Sequence, residues 1–85
     1  MKILIYTTPG CSYCETVKEL MRRGELKYTH RIIDKDVKKE KFSNKYPNAS
    51  GFPYVIIDGK EIGGLQQTAE YLVKVKGMGK QLRRK

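Results

Sequence analysis

Tryptophan is absent from this chain, histidine occurs once and cysteine twice, and 9 acidic residues stand against 18 lysines and arginines. Two cysteines cannot build the multi-bridge framework of a small secreted domain. A single histidine beside them speaks against a four-ligand zinc site within one chain as well. No apolar run approaches the roughly 20 residues that a membrane helix needs. Met1-Lys2 followed only by Ile3 to Tyr6 before the polar Thr7-Thr8 is too short for a secretory leader. The expected compartment is a reducing cytoplasm. An 85-residue chain makes one domain with a modest core, and no repeat or low-complexity segment divides it.

What the chain does have is Cys11-Ser12-Tyr13-Cys14, set directly after a short apolar strand, Lys2 to Thr7, and at the opening of a stretch with helical spacing. This places two thiols where a strand hands over to a helix, the arrangement of a thiol-disulfide active site. Cys11 then sits at a helix N-terminus, where unpaired N–H groups and the aligned peptide dipoles favour negative charge. A free thiol titrates near pKa ~8.5, so each unit of depression yields roughly tenfold more thiolate until ionisation saturates.

Apolar period and turn residues order the rest. Pro9-Gly10 ends the first strand, and a helix runs from Ser12 to Arg23 with Cys14, Val17 and Met21 on one face. Gly24 is expected to stop it with positive φ. Tyr28 to Ile33 reads as a second strand, and Asp34 or Asp36 as the cap of a weaker helix through Val37, Phe42 and Lys45. Tyr54 to Ile57 and Lys60 to Ile62 flank Asp58-Gly59, a strong hairpin signal. A last helix spans Leu65 to Lys76 and ends at Gly77. The order is βαβαββα, with the first two strands parallel and the last two antiparallel. His30, in the second strand and far from the cysteines in sequence, is expected to face solvent or core without a part in the chemistry.

Three separated segments resemble the glutaredoxin family: Thr8-Pro9-Gly10-Cys11-Ser12-Tyr13-Cys14 its active site, Gly51-Phe52-Pro53 its Thr-Val-Pro segment, and Ile57-Asp58-Gly59 with Ile62-Gly63-Gly64 its closing hairpin. The resemblance covers the chain up to Gly77. It implies the smallest thioredoxin-like α/β fold, a four-stranded mixed sheet in order 2-1-3-4 with three helices over residues 1–77, followed by a basic tail, 78–85. Thioredoxin itself fits less well, because its motif carries Trp before the first cysteine and Gly-Pro between the two.

The resemblance further implies a glutathione-dependent thiol-disulfide oxidoreductase with no tightly bound cofactor. Cys11 is its exposed nucleophile and Cys14 its resolving thiol. Pro53 is implied to be cis, with the backbone of Phe52 beside Cys11, where it pairs with the cysteinyl part of glutathione. The start of the last helix at Gly64, Gln66 and Gln67 receives the γ-glutamyl carboxylate, and Tyr13 borders the groove or covers the sheet. Thr8 stands where many glutaredoxins have a cation for the glycyl carboxylate, which leaves Lys38 or Lys41 to supply it. Gln67 stands where the family usually has Asp for the γ-glutamyl ammonium. Ser12 replaces the commoner Pro and matches a minority that hold an iron-sulfur cluster between two subunits. Ribonucleotide reductase is the protein substrate that family analogy suggests, and nothing demands more than a monomer.

A net charge of +9 favours anionic partners, glutathione among them. Two other readings remain: a thioredoxin-like electron donor served by thioredoxin reductase, and a basic nucleic-acid module. Against the second stands the lack of a recognition helix, zinc finger or aromatic run of the RNA-binding kind.

Overall fold

The computed structural model describes residues 2–76; the expected helix stop at Gly77 and the tail 78–85 lie outside them. In chain order the elements are β1 (Ile3–Thr7), α1 (Ser12–Arg23), β2 (Thr29–Ile32), α2 (Lys39–Lys45), β3 (Tyr54–Ile57), β4 (Lys60–Gly63) and α3 (Leu65–Lys76). The sheet has the order β2-β1-β3-β4. β1 pairs parallel with β2 and antiparallel with β3, and β3 pairs antiparallel with β4. This is the thioredoxin-like, glutaredoxin arrangement that the resemblance implied.

Alternation along the two central strands builds two cores. Ile3, Ile5, Val55 and Ile57 point to one face, where Val17 and Met21 of α1 and Leu72 of α3 close over them. Tyr6, Tyr54 and Ile56 point to the other face and meet Ile33, Phe42 and Tyr46. α2 has seven residues and buries only Phe42, so one aromatic anchors it. The Phe42 ring lies 4.8 Å from Tyr6 and 5.0 Å from Phe52 between centroids, separations at which tilted aromatic pairs attract. That chain of rings ties the loop before Pro53 to the sheet.

Local chemistry differs from expectation at two helix ends. Gly24 caps α1 with φ −85°, and the left-handed position falls on the next residue, Glu25, at φ 55°. Glu25 N–H donates to the Arg22 carbonyl at 3.0 Å and Leu26 N–H to that of Met21 at 2.9 Å. The pair of bonds is a Schellman closure, with Leu26 and Met21 packed in the same core. At the start of α2 the capping position is Lys38, not an aspartate, although Asp34 Oδ1 accepts from the N–H of Lys39 at 3.2 Å. Asp36 instead accepts from Ile32 N–H at 2.8 Å. The hairpin follows its signal, with Asp58 at φ 51° and Gly59 at φ 83°, the doubly positive pair of a type I′ turn.

Candidate active site

β1 ends at Thr7, and Gly10, at φ 77°, lets the chain turn from the strand into α1. Cys11 is the N-cap of that helix, extended at φ −96° and ψ 107°. Its Sγ accepts a hydrogen bond from the backbone N–H of Cys14 at 3.1 Å, as a capping oxygen does elsewhere. The two cysteines form a disulfide with Cα atoms 5.2 Å apart. They are not equivalent: Cys11 is half-buried, while Cys14, 2 % exposed, lies beneath it in the α1 face. In the reduced protein the same N–H and the helix dipole favour a thiolate on Cys11, and Cys14 is one turn away to displace whatever that thiolate has bonded.

The peptide bond Phe52-Pro53 is cis, as the resemblance implied. The Phe52 carbonyl oxygen lies 3.8 Å from Cys11 Sγ, so the backbone of this loop does stand beside the nucleophile. A groove of about 680 Å³ opens on this side, lined by Tyr13, Phe52, Pro53, Gly64, Gln66 and Gln67 among others. Tyr13 is 65 % exposed and forms its outer edge. Of the nine residues expected to contact glutathione, the structure gathers these six in one groove.

Thr8 lies instead in a second depression, of about 540 Å³, which Cys11 and Cys14 also line. Lys38 and Lys41 are exposed and line neither depression. The cations beside the thiols are Lys18 and Lys35. Glu15 pairs with Lys18 at 2.9 Å, and the hydrogen bond and charge of that ammonium hold its carboxyl below the usual range.

His30 comes closer to the cysteines than its place in the sequence suggests. It is half-buried, lines the depression that holds both cysteines, and its Nε2 is 2.6 Å from Thr7 Oγ1 at the end of β1. Burial first, then the charge of Lys18, push its pKa below the ordinary histidine value. Signals for these residues existed. Lys18 is seven residues after Cys11 and four after Cys14, hence on their side of α1. Parallel pairing sets His30 beside Ile5 in β1, from where its ring reaches Thr7 at the carboxyl end of that strand, the end at which open α/β sheets place their sites. Among the described residues, no three of His, Cys, Asp and Glu come together as metal ligands.

The sequence model of the glutaredoxin family matches residues 3–62. Glutaredoxin 1 of Rickettsia bellii is 34% identical over 68 residues, covering 73% of this chain and 67% of that protein. A glutaredoxin-like 8.6 kDa protein encoded in the rubredoxin operon of Clostridium pasteurianum is 29% identical over 65 residues, covering 76% of this chain and 87% of its own length. The crystal structure of glutaredoxin 1 from Francisella tularensis, complexed with cacodylate, superposes with a TM-score of 0.77 at 26% identity, over 89% of this chain and 96% of that one.

Proposed function

The chain belongs to the glutaredoxin family and is a thiol-disulfide oxidoreductase, and from that premise we propose that glutathione is the reductant of its Cys11–Cys14 pair. The observation that carries the proposal is the inequality of the two sulfurs, one capping α1 within reach of solvent and the other buried behind it. On a glutathionylated protein, the Cys11 thiolate attacks the glutathione sulfur. The protein cysteine departs as thiolate and takes a proton, leaving glutathione disulfide-bonded to Cys11. A second glutathione thiolate then attacks that glutathione sulfur, releasing the Cys11 thiolate and oxidised glutathione.

On a protein disulfide, Cys11 attacks one sulfur and forms a mixed disulfide. Cys14, deprotonated, attacks Cys11 Sγ and expels the partner with both its cysteines reduced. The Cys11–Cys14 bridge so formed consumes two glutathione molecules on its return to dithiol. A moderate depression of the Cys11 pKa serves this cycle best, because nucleophilicity falls as the thiolate becomes more stable. The protein substrate class we propose is an intracellular reductase that forms a disulfide in its own cycle, ribonucleotide reductase being the example that family analogy suggests, in a reducing cytoplasm.

One observation favours a second reading, reduction by a thioredoxin reductase. The groove beside Phe52 and Pro53 offers glutathione no cationic side chain, since Lys38 and Lys41 lie away from it. A direct test measures turnover of a small glutathione mixed disulfide with either electron source. Cys11→Ser is expected to abolish both deglutathionylation and dithiol reduction. Cys14→Ser is expected to keep the first and lose the second. Equal loss in both variants overturns the assigned roles, and turnover with the reductase alone replaces glutathione by the reductase.

A further inference from the structure

Resolution of a mixed disulfide asks Cys14 to lose its proton in a place that water hardly reaches. The residue is buried beneath Cys11, at the head of the inward stripe Cys14, Val17 and Met21 of α1. Burial disfavours a thiolate, so the proton stays until a base takes it.

The sheet brings a base to that place. Ile3 and Ile5 of β1 point to the face that α1 covers, and alternation carries Thr7 onto the same face. His30 pairs in parallel register with Ile5, so its ring rises on that face too, and Nε2 lies 2.6 Å from Thr7 Oγ1. Thr7, Cys14 and His30 thus line one depression, of about 540 Å³. Besides the cysteines, its titratable lining groups are Glu15 and Lys18 of α1, His30 itself and Lys35 after β2. An ammonium has no lone pair to offer. Glu15 is exposed, and the Lys18 ammonium, at 2.9 Å, favours its ionised form. A neutral imidazole keeps one unprotonated nitrogen. Burial and the charge of Lys18, against weaker pulls from Asp36 and Glu15, hold the His30 ring in that neutral form.

We propose that His30, acting through the Thr7 hydroxyl, accepts the proton that Cys14 gives up in the resolving step. With the ring proton on Nδ1, Nε2 accepts from the Thr7 O–H, and the Thr7 oxygen keeps lone pairs for a proton arriving from the depression. The Cys14 S–H bond breaks, its proton passes to Thr7 Oγ1, and that of Thr7 passes to Nε2. The electron pair left on Cys14 Sγ forms the bond to Cys11 Sγ. The bond from Cys11 to the partner breaks, and its pair departs on the partner sulfur as a thiolate, which regains a proton from the imidazolium through solvent. His30 touches no reacting sulfur and is a positioning residue for the proton. The proposal rests on Cys14 as the resolving thiol and is indifferent to which reductant restores the dithiol.

The test is a stopped-flow reaction of the reduced protein with an equimolar amount of dithiobis(nitrobenzoate). Attack by Cys11 releases one coloured thiolate, and attack by Cys14 on the mixed disulfide releases the second. The ratio of second-phase to first-phase rate isolates resolution. At about pH 7 this ratio is expected to fall about tenfold or more in His30→Gln, whose amide bonds Thr7 but takes no proton, and in Thr7→Val. Thr7→Ser, which keeps the hydroxyl, is expected to stay within about twofold of the wild type. The pH profile separates proton transfer from packing. In the wild type the second phase is level above the His30 titration, because Cys14 and its acceptor share one proton. In His30→Gln it climbs about tenfold per pH unit with the thiolate, so the gap closes as pH approaches the thiol pKa. A ratio unchanged in His30→Gln, or a deficit that stays constant between about pH 6 and about pH 9, overturns the proposal and leaves Cys14 its role. A wild-type protein that releases only the first thiolate removes that role and the proposal with it.

Discussion

A single sulfur–amide contact organises the chemistry at the level of the residue. Cys11 Sγ takes the position of a capping oxygen, so the hydrogen bond that starts α1 is also the one that favours the thiolate. Its neighbour His30 makes a separate, measurable contribution. With its pKa lowered in the folded state by burial and Lys18, against weaker opposition from Asp36 and Glu15, the unfolded chain takes up a proton at this site before the folded one does. Stability from the neutral ring is thus complete above the unfolded pKa of about 6.5 and is lost as pH falls through the lower folded value. Thermal unfolding between pH 7.5 and pH 5, about one unit above that reference and about one and a half below it, is expected to show a larger fall in Tm for the wild type than for His30→Gln. The amide of Gln keeps a group able to bond Thr7. Parallel Tm curves for the two proteins contradict the assignment.

Elements were legible from sequence where periodicity and turn chemistry agree. β1 alternates between two cores, α1 carries Cys14, Val17 and Met21 on one side, and Asp58-Gly59 states its own turn. Agreement failed where one residue had to choose between neighbours. Gly24 was the natural left-handed residue, yet placing Leu26 in the core beside Met21 puts the reversal one position later, on Glu25. α2, with Phe42 as its sole buried residue, offered no stripe from which to read a start. The site divides the same way. Cys11, Cys14, Phe52, Pro53 and the start of α3 are local motifs and Lys18 follows the cysteines by helical spacing, whereas His30 and Lys35 join them only through the parallel register and the loop after β2. The misplaced reversal has a testable cost. An exposed L residue at φ 55° carries a penalty that glycine does not, so Glu25→Gly is expected to raise stability by about 1 kcal/mol, or roughly 4–8 °C in Tm. An unchanged or lower Tm means that Glu25 does more than turn the chain.

Charge acts on the scale of the whole molecule. The chain carries +9, yet the groove beside Phe52 and Pro53 has no charged lining residue. Attraction of an anion therefore comes from the summed field of the surface, which screening weakens over a Debye length of about 10 Å at 0.1 M salt, and not from a close ion pair, which salt affects less. Encounter and grip are separated in space. Raising salt from about 0.02 M to about 0.5 M is expected to lower kcat/KM for an anionic glutathione mixed disulfide several-fold, through KM, with kcat nearly constant. A neutral disulfide such as bis(2-hydroxyethyl) disulfide, followed under the same conditions, is expected to change little. Lys38→Ala and Lys41→Ala, each removing one cation from a dispersed field, are expected to shift the glutathione value by less than about twofold at low salt. A tenfold loss from either substitution shows that α2 closes over the bound ligand and supplies the contact that its position here withholds.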